Sequence, residues 1–241
     1  MKQSAAVFFE KFDYHPQSLY GKAVLITGGT TDIGRTTGLL LASQGAHVMI
    51  FGRHEQKLNA ALEAIQEGKA MDSSVLGMQA DVSKVADIKR VFKEVDTKFK
   101  RLDILINNAV WSYENPADGT NEGIDTNLLG LMTCAREAVG RMKAAGEGHI
   151  VNIGSMSAQA RKGDDSGPIA AIQEFSESFG REVSSMGIKV TLIEPGAQGQ
   201  LKLLKAVDIA ACVLYALTQP KRCDVTTVQI RPHLQNLADV S

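Results

Sequence analysis

Cysteine is scarce in this chain, and Cys134, Cys212 and Cys223 share no metal-ligand spacing. An odd, scattered set suits reduced thiols and a cytoplasmic protein rather than a disulfide framework. His15, His47, His54, His149 and His233 form no pair at metal-binding spacing, so no metal site is expected. An excess of one charge is also missing: the formal net charge is −1, which gives no reason to expect a nucleic-acid or anionic-membrane partner. No apolar run approaches the roughly 18 residues of a membrane span. The stretch Ala5-Ala6-Val7-Phe8-Phe9 is too short for a signal-peptide core and runs at once into Glu10, Lys11 and Asp13. Residues 1–20 read as an N-terminal extension packed on one domain spanning 21–241. No repeat, linker or low-complexity tract interrupts that domain.

What is present is ordinary globular composition, 44% hydrophobic and 22% charged, in a regular alternation of strand-like and helix-like segments. Short apolar runs rich in strand formers fall at 23–27, 47–51, 75–79, 102–106, 149–153, 189–193 and 227–231. Helical segments are expected between them, near 33–43, 55–66, 85–99, 127–145, 169–186 and 208–217. The clearest carries Val85, Ile88, Val91, Phe92, Val95 and Phe99 at helical spacing. The pattern predicts an α/β fold: one doubly wound, seven-stranded parallel sheet of Rossmann type with helices on both faces. Ligands of such sheets bind beyond the carboxyl ends of the strands, where strand order reverses. The residues just after each strand therefore carry the functional reading.

After the first strand comes Thr27-Gly28-Gly29-Thr30-Thr31-Asp32-Ile33-Gly34-Arg35. Glycines at such a turn let backbone N–H groups approach a pyrophosphate at the helix N-terminus. At the end of the second strand, where an NAD-type site places a carboxylate, the chain has Gly52 followed by Arg53. Arg35 and Arg53 read either as a clamp for a 2′-phosphate or as two solvated arginines.

With further motifs the chain resembles the short-chain dehydrogenase/reductase family, from about Gly21 to Pro232. The family's Thr-Gly-x-x-x-Gly-x-Gly turn lies over Thr27 to Gly34. Its adenine-contacting Asp-Val is matched by Asp81-Val82, its Asn-Asn-Ala-Gly by Asn107-Asn108-Ala109-Val110, and its Pro-Gly by Pro195-Gly196. The resemblance implies a nucleotide held by Gly28, Thr30, Thr31, Ile33, Gly34, Arg35, Arg53, Asp81, Val82, Asn107, Ala109, Pro195 and Gly196, with NADP(H) favoured. It also implies a small carbonyl or alcohol as substrate. Association as a homodimer or homotetramer through the helices near 127–145 and 169–186 is expected on the same ground.

Two departures weaken the expected cofactor binding. Asp32 stands where the turn has its middle glycine, bringing a carboxylate to the diphosphate's place. One like-charge pair at about 5 Å costs roughly 1 kcal/mol in water and about 3 kcal/mol at an effective dielectric near 20. That is roughly a fivefold to 150-fold loss of affinity. Val110 replaces a glycine and narrows the space beside the cofactor.

The catalytic end departs further. The family protonates substrate oxygen with a Tyr whose pKa is lowered by a Lys four residues later, while a Ser polarises the oxygen and an Asn organises a water relay. Asn127 and Ser155 match the last two, although each could equally serve a purely structural hydrogen bond. Asp165 occupies the Tyr position and Ile169 the Lys position. No Tyr-x-x-x-Lys exists in the sequence: the residues four after Tyr14, Tyr20, Tyr113 and Tyr215 are Ser18, Val24, Ala117 and Gln219. Asp165 or Tyr113 could take over as acid/base, or both could be loop residues. The stretches 110–127, 155–169 and 196–208 are shorter than their family counterparts.

Three functions stay open: an NADP(H)-dependent oxidoreductase, a non-catalytic pseudoenzyme serving as a binding or interaction module, and a non-redox lyase, isomerase or cyclase using the same pocket with Asp165 or Ser155.

Overall fold

The first strand, β1 (Ala23–Thr27), is buried at every position, as a strand covered on both faces must be. It pairs in parallel with β2 (His47–Gly52) on one side and β4 (Ile104–Asn107) on the other. The computed structural model describes residues 14–30, 32–109, 125–156, 166–196 and 204–233. Its sheet has seven strands in the order β3-β2-β1-β4-β5-β6-β7, all parallel, completed by β3 (Val75–Gln79), β5 (Gly148–Ile153), β6 (Ile188–Pro195) and β7 (Thr227–Ile230). Strand order reverses between β1 and β4, so the ends of these two strands open the crevice where the fold places ligands.

The two-residue period of β1 divides the core. Val24 and Ile26 face α1 (Asp32–Ser43), α2 (Glu55–Gly68) and α6 (Ala206–Thr218), packing with Leu41, Ile65, Ile209 and Val213. Leu25 faces α3 (Val85–Phe99), α4 (Leu131–Ala145) and α5 (Ser166–Val183), packing with Phe92, Met142 and Phe179. The expected stripe on α3 is buried at Ile88, Val91, Phe92 and Val95, while Val85 at its first position is exposed.

Several boundaries differ from the sequence reading by one to three residues, among them these three. β4 starts at Ile104, and just before it Asp103 Oδ2 accepts from the backbone N–H of Ala23 at 2.8 Å, tying the strand's foot to β1. The helix expected from Asn127 opens as a π-turn over Asp125–Gly130 before α4 begins. α5 begins at Ser166 and accepts Pro168 in its first turn, where no intrahelical N–H bond is needed.

At the amino ends of the strands an ion network joins Lys22, Arg101, Asp103, Glu147 and Lys221. Glu147 accepts from Lys22 and Lys221, each at 2.8 Å, and these bonds hold its carboxyl down to about 2. Its contribution is therefore complete above the ordinary carboxylate range and disappears as pH falls toward 2. Because Glu147 is about one-third exposed, Glu147→Gln is expected to lower unfolding free energy by about 1 kcal/mol or less at pH 7. The difference should vanish in urea titrations near pH 2.

Candidate functional site

Thr27, the last residue of β1, begins the crevice. Its Oγ1 accepts from the backbone N–H groups of Asn108 at 2.9 Å and Ala109 at 2.8 Å. The Asn108 side-chain amide returns the contact, donating to the carbonyls of Thr27 at 3.2 Å and Gly28 at 3.0 Å. The carboxyl ends of β1 and β4 are thereby stitched together just below the Gly-rich turn.

Packing alone dictates all three of that turn's glycines, and a Cβ on Gly29 would stand 2.5 Å from Ile50 Cβ. Gly28 has φ +61°, and a Cβ there would stand 2.8 Å from Ala109 Cα. A Cβ on Gly34 would lie 2.5 Å from both the Gly28 carbonyl oxygen and Asn108 Nδ2, so α1 docks against the turn only because Gly34 has no side chain. Between Gly28 and Gly34 stands Asp32, the first residue of α1 and 78% exposed, with its Oδ1 3.4 Å from Arg35 Nη2.

Beside the turn lies a cleft of about 530 Å³, lined by Gly28, Thr30, Asp32, Arg35, Phe51, Gly52, Arg53, His54, Lys57, Ala60, Ala80, Val82 and Ala109. Arg35 and Arg53 both line it, together with His54 and Lys57, which the sequence reading missed. His54 follows Arg53 and Lys57 lies in the first turn of α2. At Gly52 a Cβ would fall 2.8 Å from Thr30 Cγ2, so a side chain in the carboxylate's usual place would displace Thr30. A smaller hollow of about 250 Å³ lies at the opposite, amino end of the sheet beside the Lys22–Glu147 network.

Other expected site residues are held away from the cleft wall. Asp81 Oδ1 accepts from the N–H and hydroxyl of Ser83 at 3.0 and 2.8 Å, which shapes the turn into α3, while Val82 lines the cleft. Asn107 is 3% exposed and donates to Asn152 Oδ1 at 2.9 Å; Asn152 donates to Ser176 Oγ at 2.9 Å, and Ser176 to the Ile172 carbonyl at 2.7 Å. This buried polar chain ties β4 through β5 to α5. Ile33 packs against the core, and the Gly196 N–H donates to the Ile230 carbonyl at 2.7 Å just beyond Pro195 at the end of β6.

At the catalytic end Ser155 is half-buried just after β5, Asn127 lies within the π-turn, and Ile169 is half-buried on α5. Glu194, buried near the end of β6, accepts from the Gln173 amide of α5 and from Gln229 Nε2 of β7, the latter at 3.0 Å. Thr31, Val110, Tyr113, Asp165, the side chain of Asn127 and residues 197–203 lie outside the described residues. Among the described residues no group of His, Cys, Asp or Glu is placed to hold a metal, and no helix is long and apolar enough to cross a membrane.

A family model described as short chain dehydrogenase matches residues 22–200. The chain belongs to the short-chain dehydrogenase/reductase family. Within that family, an uncharacterized oxidoreductase of Staphylococcus aureus strain MRSA252 is 32% identical, the alignment covering 89% of this chain and 98% of that protein. It runs over 235 positions, and 89% of 241 residues is about 214, so about 20 aligned positions face gaps in this chain. An uncharacterized oxidoreductase of Staphylococcus epidermidis strain ATCC 12228 is 31% identical, over 88% of this chain and 97% of that one. Among solved structures, a metagenomic short-chain oxidoreductase in complex with NADP superposes with TM-score 0.81 at 26% identity, over 91% of this chain and all of that one. A short-chain type dehydrogenase/reductase from Mycobacterium ulcerans shares the fold, with TM-score 0.81 at 20% identity over 90% of both chains.

Proposed function

We propose that this protein is a nucleotide-binding member of the short-chain dehydrogenase/reductase family, of NADP(H) type, that does not perform the family's ordinary hydride transfer. The observation that carries the reading is the missing acid/base pair: no Tyr-x-x-x-Lys occurs in the sequence, and an isoleucine stands at position 169. When bound, a nicotinamide supplies hydride to carbon; the protein must still deliver a proton to oxygen. An aliphatic side chain at 169 offers no charge to favour a phenolate, and a carboxyl at 165 supplies no phenol. The shortness of the stretches 110–127, 155–169 and 196–208 in the sequence supports a reduced substrate enclosure.

The nucleotide end is kept unevenly. Arg53 and Lys57, with Gly52 in place of a carboxylate, suit a 2′-phosphate, and Val82 and Ala80 offer apolar surface to a base. Asp32 at the first turn of α1 opposes the diphosphate, and the sequence has a valine at 110 where the family's segment has a glycine. Homo-oligomerisation through α4 and α5 belongs to the same proposal.

Mixing the full chain with NADPH and a panel of aldehydes and ketones should show no absorbance loss at the nicotinamide band above the protein-free rate. A well-placed general acid is worth roughly 10²–10⁴-fold, so its absence separates this protein from an active homologue by at least that factor. Protein-dependent turnover that Ser155→Ala removes would overturn the reading.

One observation favours a second reading, a non-redox lyase, isomerase or cyclase. Asn127 lies in a π-turn, and such turns concentrate at functional sites. On that reading Asp165→Asn abolishes conversion, and a silent metabolite panel counts against it.

A further inference from the structure

The cleft offers opposite surroundings to the two phosphate-bearing ends of a 2′-phosphorylated dinucleotide. On one wall Arg53, His54 and Lys57 lie exposed within five residues of one another, between the end of β2 and the first turn of α2. Among the described residues no carboxylate pairs with Arg53 or Lys57, and the His54 side chain does not cap α2. Glu55 is the one carboxylate among residues 53–57, so Arg53 and Lys57 leave this wall with a local excess of positive charge. On the other wall the Asp32 carboxylate occupies the N-terminal end of α1, the place where free backbone N–H groups and the helix dipole would receive a diphosphate. Arg35, the nearest compensating cation, lies 3.4 Å from that carboxylate. The residues present therefore fit a ribose-linked phosphate and do not fit the diphosphate bridge.

We infer that the cleft selects a ribonucleoside carrying its phosphate on the ribose 2′ or 3′ oxygen, with adenosine 2′-monophosphate as the simplest case, over the intact dinucleotide. This rests on the nucleotide-cleft reading above and narrows it to half of the ligand. A mononucleotide of this kind places its dianion against Arg53 and Lys57 and its base against Ala80 and Val82, and brings no charge to Asp32. The cleft volume of about 530 Å³ lies within the usual range for small-ligand sites. An adenosine 5′-phosphate reverses the arrangement, directing its charge toward Asp32 and leaving the basic wall unmatched.

Isothermal titration of the full chain with adenosine 2′-monophosphate, 3′-monophosphate, 5′-monophosphate and NADPH tests this. The 2′- or the 3′-phosphate should bind at least as tightly as NADPH, and the comparison between those two identifies the favoured position. The 5′-phosphate should bind at least about tenfold more weakly. Asp32→Gly should tighten NADPH roughly fivefold to 150-fold while leaving the 2′-monophosphate within about twofold. Asp32→Asn, which keeps the side chain's shape, should move NADPH in the same direction. Arg53→Ala should weaken the 2′-monophosphate and NADPH together. If NADPH binds the unaltered protein tenfold or more tightly than either ribose phosphate, or if both Asp32 variants leave NADPH unchanged, the inference is overturned while the nucleotide-cleft reading stands. If no nucleotide binds at all, both fall.

Discussion

Gly34→Ala is expected to lower the unfolding free energy by about 3 kcal/mol and to abolish nucleotide binding with it. The added methyl would meet the Gly28 carbonyl and Asn108 Nδ2, each at 2.5 Å. One of these is backbone and cannot rotate away. Asn108 is held in turn by Thr27 and Gly28, so relief requires α1 to move off the sheet or the bonds between β1 and β4 to break. For a chain of this length 3 kcal/mol is roughly 6–12 °C in Tm. Gly140→Ala supplies the contrast. Gly140 is exposed within α4, and a Cβ there meets nothing within 4 Å, so alanine should stabilise by about 1 kcal/mol. Thermal melts of the two variants moving in the same direction would contradict this account of the turn.

The second large effect is on acid stability and comes from His149. Its ring is 8% exposed, with Nε2 2.8 Å from Thr191 Oγ1. Burial, reinforced by the nearby Lys189 charge, holds its pKa down to about 3 from an ordinary value of 6.5. Below pH 6.5 the unfolded chain takes up a proton that the folded chain refuses, so stability falls with pH until the folded group also titrates near 3. The slope approaches about 1.4 kcal/mol per pH unit, which makes a loss of about 3 kcal/mol by pH 4.5. Urea titrations at pH 7 and 4.5 on the native chain and on His149→Gln isolate this term, because the other titrating groups are common to both. The variant should lose less stability between the two pH values by roughly that amount. Equal losses would show that the native state accepts the proton.

The strands were legible because strands covered on both faces are written as apolar runs, and Ala23–Thr27 or Ile188–Pro195 offer few competing readings. Helix ends were less so. Just before β4 Asp103 reaches Ala23, eighty residues earlier, and nothing local announces such a bond. The same distance in sequence separates Asn108 from Gly28, which is why the glycines could be read as ligand-directed before their packing was known. Lys57 was overlooked for another reason: as an exposed helical lysine it looks like any solvated cation until the fold sets it across from Arg35.

By itself the sequence determined the strand–helix alternation, the nucleotide-type turn and the loss of the tyrosine–lysine pair, since each depends only on residue identity and short-range spacing. The tertiary structure decided which glycines serve packing, that Asp32 stands at the mouth of the cleft beside Arg35, and that Arg53, His54 and Lys57 share one wall. Those are facts about residues distant in sequence or differently oriented on a helix. Close-packed backbone and the fall of electrostatic energy with separation make them matters of ångströms, which no order of amino acids states directly.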